Sequence, residues 1–167
     1  MANNFQFSID MPVRSEWSNV DLLRTSVQNC FTAIFSDIEG CRSLAMVTGE
    51  LVENAIKYGD WSGLAGLDDQ RFRLRVWGEG HNAFVSVENP VRRGDKHAEE
   101  VLRTLGWLRT FPSSAEAYRA RLLEIAAQSP DPDHSKLGLV RIAYEGNCRL
   151  TAELVRGVLH VQAELTV

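Results

Sequence analysis

The sequence predicts an α+β protein, a two-layer sandwich in which helices cover one face of a mixed, mostly antiparallel sheet. Three observations predict it. Two stretches, about 19–35 and 42–58, carry apolar residues at three- and four-residue intervals. Residues 71–77, 83–89 and the C-terminal end alternate apolar and polar residues around short glycine-containing turns. A further helix-patterned stretch interrupts the strands as an insertion before the last hairpin.

In chain order, "FQFSID" alternates Phe5, Phe7 and Ile9 with polar residues and reads as a half-buried strand. Val20, Leu23, Val27, Phe31 and Ile34 then form one helical stripe, with Ser18 or Asn19 available as N-cap. Leu44, Val47, Leu51 and Ala55 form a second stripe over about Arg42 to Tyr58, which Gly59 stops. "DWSGLAGLDD" is a loop by composition. The runs 71–77 and 83–89 pair across "GEGHN", and Arg71, Arg73 and Arg75 share one strand face, the pattern of a solvated face. After "NPVRRGDK", a helix over about His97 to Arg109 places Val101, Leu102, Leu105 and Leu108 on one side. Ser113 and Glu116 have capping-box spacing for another helix through about Gln128. "SPDPDHSK" is a loop, "LGLVRIAYEG" a short helix ended by Gly146, and the remainder a hairpin turning at Arg156-Gly157. The side chains near Leu105 and Leu122 read mainly as core or insertion packing.

The 167 residues suit one domain, 1–167, large enough to bury a core without staples. Nothing in that length demands oligomerisation, and a homodimer stays open. Three widely spaced cysteines match neither a disulfide framework nor a thiolate metal site and read as a reducing compartment. "MANNFQFSID" has no basic or apolar signal region, and no apolar run is long enough to span a bilayer, so the expectation is a cytoplasmic chain without membrane insertion. A net charge of -4 argues against nucleic acid as the main partner. No P-loop, nucleophile elbow or His/Asp/Glu cluster with metal-ligand spacing occurs.

The second helix carries the chemistry. With Leu51 at the centre of its apolar face, Asn54, Glu50 and Lys57 fall within about 120° on one side, a polar stripe beside the core stripe. The plain alternative is a solvated flank of i,i+4 neighbours. "ELVENAIKYG" resembles the N-box of the GHKL ATPase superfamily, the group of gyrase, MutL, histidine kinases and anti-sigma-factor kinases. That resemblance implies the family's ATP-binding fold, Glu50 as general base or water-orienting carboxylate, and Asn54 as Mg²⁺ ligand. It also places Lys57 and Tyr58 near phosphates or ribose. One amide oxygen suffices for Mg²⁺, a hard ion that keeps several waters.

Two more landmarks follow in family order. After "AFVSV", where the family carries an Asp-x-Gly-x-Gly box that reads adenine, this chain has "ENPVRRG". Asn89 is the best match and Glu88 the runner-up; an Asn amide accepts the adenine hydrogen bond without charge assistance. "SKLGLVRIAYEG" is similar to the second glycine box at a helix N-terminus, with Gly138 as its second glycine and Lys136 in place of its first. The insertion, with a lid region over about 95–137, and the following "GLVRIA" are most similar to the SiaB-type serine kinases among the stand-alone members of bacterial partner-switching systems. The resemblance therefore implies an ATP- and Mg²⁺-dependent serine/threonine kinase or switch protein acting on a STAS-like antagonist. The altered adenine box and Lys136 motivate the alternative, a nucleotide-independent interaction module with a degenerate pocket.

Overall fold

The computed structural model describes residues 6–62, 70–127 and 137–166. The elements run β1 (Gln6–Arg14), α1 (Ser18–Ile34), α2 (Ile38–Tyr58), β2 (Arg71–Glu79), β3 (Asn82–Pro90), α3 (Lys96–Leu108), α4 (Ser114–Ala127), α5 (Gly138–Glu145), β4 (Cys148–Val155) and β5 (Val158–Thr166). The strands form one sheet in the order β1-β2-β3-β5-β4, every neighbouring pair antiparallel. The expected α+β sandwich is therefore present, and its described strands contain no parallel pair.

Alternation decides which sheet face is covered. Phe72, Leu74 and Val76 of β2, Val85 and Val87 of β3, and Leu159, Val161, Ala163 and Leu165 of β5 are all buried. Their registers align them: Leu74 opposes Met11 and Val87, and Val85 opposes Val76 and Ala163. α2 packs on β3 and β5, α1 packs on α2, and α3 and α5 pack near β4. Phe31, Leu44, Val47 and Val52 complete the core from the helical side. On the other sheet face Arg71 and Arg73 are exposed as expected and Arg75 is half-buried; Arg73 makes a two-pronged contact of 2.8 and 2.6 Å to Asp10, and Arg75 lies 3.8 Å from the same carboxylate. Among the described residues no helix is long and apolar enough to cross a membrane.

Several ends differ from expectation. α2 starts at Ile38, a turn earlier than Arg42, because the Asp37 carboxylate accepts from the Gly40 N–H at 3.1 Å and offsets the cost of a glycine in the first turn. α1 takes neither expected cap. Ser18 is already helical, and the Asn19 amide donates to the Arg14 carbonyl at 2.8 Å, tying the helix to β1. Ser113 does cap α4, accepting from the Glu116 N–H at 3.2 Å. Both hairpins turn where the glycines predict; at the second, Arg156 and Gly157 both take positive φ, 51° and 80°, the pair a tight two-residue turn needs. Gly146 ends α5 for a different reason than expected. Its φ is -78°, and Asn147 carries the positive φ; a Cβ at Gly146 would lie 2.5 Å from Val47 of α2 and 2.6 Å from the Ile142 carbonyl. The glycine is needed for close packing of α5 on α2.

Candidate functional site

A cavity of about 260 Å³ opens where α2, α3, α5 and the inner sheet face meet, close to the lower end of small-molecule sites in size. α2 supplies Glu50, Glu53, Asn54, Lys57 and Tyr58; β3 supplies Val87 and Asn89; β5 supplies Leu159 and Val161. His97, Glu100 and Thr104 line it from α3, and Gly138 and Arg141 from α5. Asp60 N–H donates to the Pro90 carbonyl at 2.7 Å, fixing the end of α2 to the end of β3. That bond holds Lys57 and Tyr58 beside Asn89.

Six of the seven residues singled out from the sequence thus share one cavity. Lys136 lies outside the described residues. Glu88, the runner-up to Asn89, points to the opposite sheet face, where its carboxylate is 3.5 Å from His160 Nδ1. A period of two makes that choice unavoidable, since neighbours in a strand cannot share a face. Asn89 is only 4% exposed, and its amide makes one long contact, 3.4 Å to the Pro90 carbonyl. Asn54 makes no side-chain hydrogen bond to another described residue.

Two of these residues already have side-chain partners. Tyr58 lines the cavity, but its ring is committed to a stack on His97 with centroids 3.5 Å apart, joining α2 to α3. Burial holds the His97 imidazole below the usual histidine range; Lys57 adds to that shift, and Asp95 and Glu100 oppose it. Glu50 is not a free carboxylate. Arg141 Nη2 donates to Glu50 Oε1 at 3.0 Å across the cavity.

Arg141, His97 and Glu100 escaped the sequence reading because nothing in their local spacing marks them. The one available signal was Arg141 as the single basic residue in "GLVRIAYE". Chemically, the lining sets three carboxylates (Glu50, Glu53, Glu100) against two cations (Lys57, Arg141). A bare polyphosphate meets a formally negative wall there, whereas one carrying a divalent cation brings its own compensation. The Asn54 amide oxygen, without a described protein partner, suits such a hard ion. No group of three His, Cys, Asp or Glu side chains among the described residues forms a metal cage.

No protein-family model and no curated protein matches this chain. Among solved structures, the chain is similar to one in the crystal structure of the SiaB-SiaC complex from Pseudomonas aeruginosa, with a TM-score of 0.68 and 18% sequence identity. The match covers 95% of this chain and 89% of that one. The two chains share a fold. Coverage on that scale includes the helical insertion as well as the sheet, so the insertion belongs to the shared architecture.

Proposed function

We propose that this chain is an ATP- and Mg²⁺-dependent serine/threonine kinase or switch protein of a bacterial partner-switching system, acting on a STAS-like antagonist. The observation that carries the reading is the convergence of Glu50 and Asn54 from α2, Asn89 from β3 and Gly138 from α5 on one cavity. These residues are separate in sequence and match successive landmarks of one nucleotide-binding family. The similar chain comes from a two-protein complex, which supports a protein partner.

In this reading Asn54 would hold Mg²⁺, which when bound would offset the charge of the phosphates. Asn89 meets the base edge through its amide, and the apolar walls Val87, Leu159 and Val161 exclude water from the base. Gly138 begins α5 on the cavity wall, and among the described residues nothing lies within 4 Å of where its Cβ would stand, so the helix N-terminus would be the group that meets a phosphate. Glu50 orients the attacking hydroxyl and receives its proton. Positioning and charge stabilisation supply most of the catalysis in such a transfer.

Isothermal titration with Mg²⁺ and ATP tests the reading, and binding that is lost on Asn54→Ala is the expected result. No heat at millimolar nucleotide would remove it. A pull-down with phosphate-affinity gel analysis then tests the direction of the switch: a captured partner should be phosphorylated only with ATP present and Glu50 intact. One observation favours a nucleotide-independent interaction module instead, namely that Glu50 is paired with Arg141 while the base-facing Asn89 lacks a carboxylate's charge. A partner bound equally well, and left unmodified, with and without ATP would select that second reading.

A further inference from the structure

Arg141 is held in an unfinished way. One Nη donates to Glu50 at 3.0 Å, while its Nε is buried and has no hydrogen-bond partner among the described residues; the Glu145 carboxylate of the same helix lies 3.8 Å from that nitrogen. A guanidinium has five donors in a rigid fork that matches a carboxylate or phosphate two at a time. Here a single prong is used on Glu50. The pair is also neither deeply buried nor fully solvated, with side-chain exposures of 42% for Arg141 and 22% for Glu50, so exchange of partners requires no core rearrangement. Asn54 lies one turn from Glu50 on the same helix and faces the same cavity.

Taking the nucleotide reading above as its basis, we propose that Arg141 is an exchangeable latch. In the nucleotide-free chain it pairs with Glu50 and occupies the carboxylate that the transfer needs. The terminal phosphate of a nucleoside triphosphate presents three oxygens and more charge than one carboxylate, and offers the fork the two-pronged contact that Glu50 does not provide. Arg141 then moves to the phosphate and Glu50 is released. A diphosphate, lacking that group, leaves the latch on Glu50. The result is a site in which the base becomes available only when the group to be transferred is present. Arg141 is thereby a specificity-determining residue that distinguishes triphosphate from diphosphate.

The test is calorimetric titration of the full chain with Mg²⁺-ATP and Mg²⁺-ADP, comparing wild type, Arg141→Ala, Arg141→Lys, Glu50→Gln and the Arg141→Ala/Glu50→Gln double variant, each checked for a native melting transition. Arg141→Ala should weaken ATP binding about tenfold or more, the scale of a charge-assisted hydrogen bond, while ADP binding stays within about twofold. Glu50→Gln should strengthen ATP binding by releasing the fork, and that gain should vanish in the double variant. Arg141→Lys keeps the charge without the fork and should fall between wild type and Arg141→Ala, which guards against a folding defect in the alanine variant. An equal loss for both nucleotides in Arg141→Ala, or no gain in Glu50→Gln, overturns the latch while the nucleotide reading stands. A wild-type chain that binds neither nucleotide overturns the nucleotide reading, and the latch with it.

Discussion

Glu50 and Arg141 stand 91 positions apart, yet their side chains meet at 3.0 Å, so the chemistry of one cannot be read without the other. The same holds for Tyr58 and His97, whose rings stack across the junction of α2 and α3. For His97 the pH dependence has a definite sign. Burial lowers its folded-state pKa below the unfolded value, so the neutral ring is favoured by the fold. Its contribution to stability is complete above the ordinary histidine pKa of about 6.5 and is lost as pH falls through that value toward the folded pKa. An NMR titration of the His97 ring should give a midpoint below 6.5, and denaturant midpoints should fall over the same acid range less steeply in His97→Gln. The thiols give a second check. Cys30 is exposed, whereas Cys41 and Cys148 are buried, and burial pushes the Cys148 thiol up to about 12. A disulfide reagent at neutral pH should label Cys30 alone in the native protein and all three cysteines after unfolding.

Among the elements, α2 and α4 are opposites. α2 buries ten of its 21 residues and carries the polar stripe on its flank, so packing fixes where Glu50 and Asn54 point. α4 buries only Ala117 and leaves Leu122, Leu123 and Ile125 exposed, so of the two expected core or insertion positions Leu105 is buried and Leu122 is not a core residue. It is held by the Tyr118–Tyr144 stack at 4.6 Å on α5 and by Arg121, whose guanidinium lies 4.1 Å over the Trp107 ring of α3. Those contacts bridge helices but bury little apolar surface, and local opening is easiest where burial is least. Amide exchange should therefore be faster along α4 than along α2. Tyr118→Ala should accelerate it further while leaving the strands unchanged, and a variant in which β3 loses protection together with α4 would contradict this account.

On the scale of the whole molecule, stability comes from the layer between the inner sheet face and α1, α2, α3 and α5. Leu74 is fully buried between Met11 and Val87 in the sheet, and Leu74→Ala should cost roughly 2–5 kcal/mol in a denaturant titration, the range for a cavity that neighbours cannot refill. This layer was legible in advance, because strands of period two and helices of period 3.6 write their buried faces into local spacing: Leu159, Val161, Ala163 and Leu165 could face only one way. The stripe of Glu50 and Asn54 was legible for the same reason, whereas Asn89 and Gly138 stood out only through the family resemblance, each at the place of one of its landmarks. Helix ends were less so, since Asp37 caps across a glycine and Asn19 reaches back to β1, contacts that depend on where the flanking chain goes. By itself the sequence determined the two layers, the hairpins and the helix that carries the polar stripe, because short-range periodicity and turn chemistry settle them. Only the tertiary structure decided that Asn89 lines the same cavity as Asn54, that His97 stacks on Tyr58, and that Arg141 holds Glu50. Those pairings depend on how distant elements dock, and no local spacing encodes that distance.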